Sequence, residues 1–164
     1  GNPFRYFVYG AAVAEVLVDT LTGENKVTRV DILHDAGKSL NEAVDFGQLE
    51  GGFIQGMGWL TTEELVWDEN GVLRTHAPST YKIPTASDRP DDLRMKFIDW
   101  GTNIDDSVFR SKAIGEPPLC LAICVLNALS DAVASVVDRK EFGALNAPAT
   151  PENILMTLER YRDD

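Results

Sequence analysis

The sequence predicts an α+β fold: a two-layer mixed sheet with packed helices. Three observations predict it. Two strand-like runs open the chain, a long glycine-rich helical segment follows them, and a nearly all-apolar helix lies close to the end. Residues 4–19 are rich in Phe, Tyr, Val and Ala and predict a strand. Residues 20–25, with Gly23, predict a turn. Residues 26–34 alternate through Val27, Val30 and Ile32 and predict the hairpin partner.

Residues 41–65 read as helix but contain Gly47, Gly51, Gly52, Gly56 and Gly58. Each glycine in a helix interior costs about 1 kcal/mol relative to alanine. Something must therefore approach this backbone closely. Two readings account for that: tight packing against the chain's own sheet, or a cofactor or neighbouring domain lying against the helix. A phosphate loop is not indicated, because the stretch from Gly56 to Thr61 lacks a third glycine and no clear strand precedes it.

Residues 65–75 carry Asn70-Gly71 between apolar runs and predict a hairpin. Residues 79–84 predict a short extended segment, 93–99 a strand, and 101–109 an exposed acidic loop. Residues 119–137 predict a helix whose polar residues, Asn127, Ser130, Asp131 and Ser135, fall on one narrow stripe, so most of it is buried. Thr150 as N-cap and Pro151 at the first helical position predict a last helix that buries Ile154, Leu155 and Leu158. No repeat, low-complexity tract or linker divides residues 1–164, which predicts a single domain fragment.

Composition narrows the function. The 164 residues are 44% hydrophobic and 25% charged, ordinary values for a folded chain. A net charge of -11 with no basic cluster argues against nucleic acid as a partner. The longest uninterrupted apolar run, residues 119–126, is far below the roughly 20 residues a bilayer span needs, so no membrane segment is predicted. Cys120 and Cys124 are four residues apart in that run and predict two small core residues on one helix face. His34 and His76 are isolated, and no zinc or iron–sulfur spacing is present. A reducing, cytoplasmic compartment fits this usage. The first residue is Gly1 rather than Met, so a preceding segment is expected to have been removed.

The chemistry is carried by Ser111-Lys112-Ala113-Ile114-Gly115-Glu116-Pro117-Pro118-Leu119. Gly115 permits unusual backbone angles. Pro117 is expected to push Glu116 toward extended geometry, and two prolines then open a helix. The positive end of that helix favours the ionised carboxylate, while burial would oppose it. Glu116 is thus either a general base or a structural helix-start residue. Lys112, four residues earlier, is a possible partner for Glu116, although lysines are usually solvated.

This nine-residue segment resembles the signature of the xanthine dehydrogenase, xanthine oxidase and aldehyde oxidase family of molybdenum hydroxylases. The glycine-rich run from Phe46 to Gly58 is similar to that family's cofactor helix, and Ser79-Thr80-Tyr81-Lys82-Ile83-Pro84 and Pro148-Ala149-Thr150-Pro151-Glu152 match in the expected order. The resemblance covers nearly all of the chain and is strongest to the molybdenum-binding subunit of bacterial xanthine dehydrogenases. Glu42 stands where a proline is common.

The resemblance implies a C-terminal part of a molybdopterin-binding domain. Glu116 is then the general base that takes a proton from a molybdenum-bound hydroxyl, and Gln48 contacts the molybdenum–molybdopterin cofactor. The bland alternative for Gln48 is that it satisfies backbone groups. Gln55 is a weaker candidate; Glu50 reads as a structural residue or one that supports a site residue, and Tyr81 and Lys82 read as packing, with lining a channel as the alternative. The implied reaction oxidises xanthine or hypoxanthine with water-derived oxygen; an aldehyde or another N-heterocycle is the alternative substrate, and a non-catalytic assembly module the alternative role. The implied partners are the missing N-terminal part of the same subunit and an iron–sulfur/flavin subunit carrying FAD and 2Fe-2S clusters. On this reading the chain alone does not turn over substrate.

Overall fold

Strand β1 (Gly10–Val18) and strand β2 (Asn25–His34) form the expected hairpin, antiparallel from Gly10↔His34 to Val18↔Asn25, with a bulge between Glu15 and Val16. The structure, a computed structural model, describes residues 5–137 and 142–161. The hairpin turn needs Gly23 for two reasons. Its φ is +75°, and a Cβ there would sit 2.0 Å from the carbonyl oxygen of Pro151. The turn is therefore where the last helix docks.

Strand β3 (Asp92–Phe97) pairs in parallel with the other edge of β2, giving the order β1-β2-β3. A parallel pair requires a long crossover, and helix α1 (Glu42–Thr61) lies within it. One face of the sheet presents Ala12, Ala14, Val16, Val27, Val30, Ile32, Leu93, Met95 and Phe97 to the core. Leu49, Phe53 and Met57 of α1 pack on it, with Val125, Leu129 and Val133 of helix α2 (Ile123–Ala134) and Ile154 and Leu158 of helix α3 (Pro151–Tyr161). Val13 and Leu17 on the opposite face are exposed. The expected two-layer α+β arrangement is what forms.

Helix α3 starts as its sequence requires: the Asn153 N–H donates to Thr150 Oγ1 at 3.2 Å, and Ile154 N–H to the Thr150 carbonyl at 2.9 Å. The apolar helix differs from expectation. Its first part, Pro117–Ala122, is a 3₁₀ turn, and only then does α2 begin. Two adjacent prolines supply no N–H, and the Leu119 N–H closes a tight i→i+3 bond on the Glu116 carbonyl at 3.1 Å. The change of pitch also separates the cysteines: Cys120 is exposed, whereas Cys124 is half-buried and burial pushes its thiol up to about 11. Only one of the pair is a core residue.

The run Pro117–Ala134 is, by length and composition, apolar enough to cross a membrane, because Asp131 is its only charge. The eight-residue count from sequence missed this. Here its Val125, Leu129 and Val133 fill the core against the sheet.

Two other segments differ. Residues 65–75 turn at Asn70-Gly71 as expected, but a single bridge, Trp67↔Leu73, replaces paired strands. Asp68 Oδ1 takes the N–H groups of Asn70 and Val72, which competes with a longer ladder. Residues 79–84 do not run straight: the N–H groups of Thr80 and Tyr81 both reach the Ala77 carbonyl, since Pro78 presets a turn.

Candidate active site

Helix α1 starts at Asn41, whose side chain accepts the Val44 N–H at 3.3 Å. Its glycines divide into two groups. A Cβ at Gly52 would lie 2.9 Å from the Gly115 carbonyl oxygen, and one at Gly56 would lie 2.3 Å from that of Leu119 and 2.9 Å from Ala122 Cβ. Gly58 is similarly closed off by Glu63 and Pro84. These three serve packing within the chain. Gly47 and Gly51 have no neighbour within 4 Å of where a Cβ would stand. The close approach is thus to the Gly115–Ala122 segment, Glu63 and Pro84 rather than to the chain's own sheet, and packing within the described residues does not account for Gly47 and Gly51.

The Gly56 contact is testable. Alanine favours helix by about 1 kcal/mol, but its methyl would overlap backbone that has no rotamer to change, and overpacking typically costs roughly 1–3 kcal/mol or more. Gly56→Ala is expected to be a net loss in urea unfolding, while Gly51→Ala is expected to be neutral or stabilising. Equal midpoints for both variants would mean that the close approach at Gly56 is not tight.

Gly52 and Gly56 seat the segment that carries Glu116 directly on α1. Glu116 does not adopt the extended geometry expected before proline. Its φ and ψ are -104° and -36°, because its carbonyl accepts the first bond of the 3₁₀ turn, and that bond outweighs a local steric preference. Its carboxylate is exposed and makes no capping hydrogen bond to the turn it precedes. Gln48 is exposed one turn before Gly52 on α1, and its Oε1 lies 3.0 Å from where a Cβ on Gly115 would stand. The two residues singled out in the sequence are brought together: the Gln48 amide lies against the residue immediately before Glu116. Around them the outer face of α1 is open through Gly47 and Gly51.

Lys112 is neither solvated nor paired with Glu116. Its side chain is 8% exposed, and its ammonium meets the carboxylate of Asp35, whose side chain is 12% exposed, at 2.5 Å. It also donates to the Phe7 carbonyl at 2.7 Å and stands 5.4 Å from the centroid of the Tyr9 ring. Asp35 Oδ1 accepts the Gly37 N–H at 2.9 Å. Sequence reasoning missed Asp35, which lies 77 residues from Lys112; its only local signal is the Asp-Ala-Gly turn spelling at the end of β2. Next to it, His34 is fully buried with no partner for Nδ1, and burial holds its imidazole below the usual histidine range while Asp35 opposes that shift.

The weaker candidates have structural partners. Glu50 pairs with Arg89. Tyr81 bonds to Glu63, which raises its hydroxyl above the ordinary tyrosine value. Lys82 Nζ donates to the Ser79 carbonyl. Gln55 is exposed.

Among the described residues no group of three or more His, Cys, Asp or Glu side chains could hold a metal ion. A metal beside Glu116 would take its other ligands from outside the described residues, from a cofactor or from another part of the protein. A neutral amide, an open glycine backbone and an exposed carboxylate fit a cofactor of that kind, since an amide donates and accepts without adding charge.

Residues 1–90 match the family model of the molybdopterin cofactor-binding domain. The chain is 46% identical over 160 residues to xanthine dehydrogenase/oxidase of Felis catus, and 46% identical over 164 residues to aldehyde oxidase 1 of Cavia porcellus. These alignments cover 94% and 97% of the chain but 12% of each relative, so the chain spans about an eighth of their length. In fold it superimposes on the Cu,Mo-CO dehydrogenase with a TM-score of 0.82 at 23% identity, covering 93% of this chain and 18% of that one. With a glycine-faced helix, a Gly-Glu-Pro-Pro turn seated on it and these relatives, the chain belongs to the molybdopterin cofactor-binding domain family, as a segment of the molybdenum-binding domain of the molybdenum hydroxylases.

Proposed function

We propose that this chain forms one wall of the active site of a molybdenum hydroxylase that oxidises xanthine or hypoxanthine, with Glu116 as general base. The observation that carries the reading is the contact of Gln48 with Gly115, immediately before Glu116, beside the open glycine face of α1. When bound, the molybdenum cofactor supplies the two-electron redox chemistry and the Lewis acidity that turns water into a nucleophile.

The chain's own residues do the rest. Gly47 and Gly51 admit the cofactor close to the α1 backbone. Gln48 offers it one donor and one acceptor without charge. The Glu116 carboxylate, free of any bond to its own turn, takes up the proton released as water attacks the substrate carbon. Pro117 and the 3₁₀ bond at Glu116 hold the carboxylate's backbone still while it does so.

The remaining partners follow from the same reading: the rest of the subunit to complete the pocket, and FAD and 2Fe-2S centres in other domains or subunits to carry the electrons away. Two free cysteines fit a reducing, cytoplasmic setting. Equal identity to a xanthine dehydrogenase/oxidase and an aldehyde oxidase favours keeping aldehydes as the second substrate class.

The test is a comparison of kcat/KM for xanthine, hypoxanthine and an aromatic aldehyde, using the full-length enzyme in ¹⁸O-labelled water. Label in urate with purines preferred at least tenfold is the expected result. Preference for the aldehyde moves the assignment to the second class. Loaded enzyme that oxidises none of them leaves the chain a cofactor-housing and assembly module.

A further inference from the structure

The buried Asp35–Lys112 pair has no part in the chemistry above, and its position calls for a reason. Burying two charges is expensive, and well-packed apolar residues often do as well or better for stability. Yet Lys112 is fixed three ways, by Asp35 Oδ2 at 2.5 Å, the Phe7 carbonyl at 2.7 Å and the face of Tyr9.

Backbone bonds run alongside. Lys112 N–H donates to the Ala36 carbonyl and Lys38 N–H to that of Arg110, both at 3.0 Å, and Gly37 bridges Ser111. The Ala113 N–H donates to the Tyr6 hydroxyl at 3.0 Å. Just before them, Phe109 and Arg110 are held at φ +50° and +65°, angles that persist in non-glycine residues only where the surroundings over-determine them. Residues 110–113 are thereby fused to the end of β2, the central strand.

On the other side of Glu116, Pro118 is buried, with its Cβ 3.3 Å from where a Cβ on Gly52 would stand. Only Ile114, Gly115, Glu116 and Pro117 lie between the two anchors.

We propose that Asp35 and Lys112 are positioning residues: the pair locks the segment before Glu116 to the central strand and so sets the carboxylate against the reacting atoms. This rests on Glu116 being the base. A displacement of about 1 Å at a reacting group can cost on the order of 10²-fold in rate.

The test uses the full-length enzyme carrying Asp35→Asn with Lys112→Met, which removes both charges, keeps side-chain length and leaves an oxygen for the Gly37 N–H. We expect kcat to fall about 10–10²-fold with KM and molybdenum content unchanged, and amide exchange at residues 113–116 to accelerate. In a Glu116→Gln background the same double change should lower the rate little further. Unchanged kcat and exchange overturn the proposal, as does an equal loss in the Glu116→Gln background, which would put the pair's effect elsewhere. If Glu116→Gln alone leaves turnover intact, it is the base assignment that fails, and the positioning role goes with it. Should the double variant not fold, Lys112→Arg keeps the charge in a different geometry, and the same split between kcat and KM is expected.

Discussion

Replacing Glu116 by Gln in the full-length enzyme is expected to lower turnover about 10²–10⁴-fold, the usual consequence of losing one general base, while molybdenum content stays at that of the parent. The change keeps the shape of the side chain and removes only its capacity to take a proton. Structure should be spared, because the carboxylate is exposed and makes no capping bond to the turn behind it. Metal analysis and turnover are measured on the same preparation. A collapse in rate with metal retained assigns the base. A variant as active as the parent reduces Glu116 to a residue that starts a helix.

The second large effect is on stability. Asp35→Ala removes the partner of a lysine whose side chain is 8% exposed, and an uncompensated buried charge typically costs about 3–5 kcal/mol. Equilibrium urea unfolding of the chain reads this directly. Removing both charges together should be far milder than removing one, since the penalty lies in the orphaned partner rather than in the loss of attraction. A single-variant loss below about 1 kcal/mol would be the value for a solvated surface pair and would contradict the burial seen here.

What was legible in the sequence was local. Alternation at Val27, Val30 and Ile32 located β2, Thr150-Pro151 located the start of α3, and the Gly-Glu-Pro-Pro spelling located the candidate base. The glycines of α1 announced a close approach but not its partner, because a sequence cannot say which side of a helix meets its own chain. The structure divides them, Gly52 and Gly56 inward, Gly47 and Gly51 outward. Asp35 was invisible because its meaning depends on a lysine 77 residues away. The geometry at Glu116 went the other way from expectation because a hydrogen bond to its carbonyl outweighed a pairwise steric rule. The 3₁₀ turn at Pro117–Ala122 changed the pitch that the four-residue cysteine spacing assumed.

The outward glycines carry a thermodynamic consequence. With alanine at both Gly47 and Gly51, α1 would be more stable by roughly 2 kcal/mol, and nothing within the described residues stands in the way of either methyl group. The helix is left softer than its own chain requires, on the side where the cofactor is proposed to lie. Whatever binds there binds the folded helix and not the unfolded one, so its binding free energy adds to the stability of α1 by mass action. The cofactor would then act as a folding ligand as well as a catalyst, and cofactor-free chains would be those with the loosest α1.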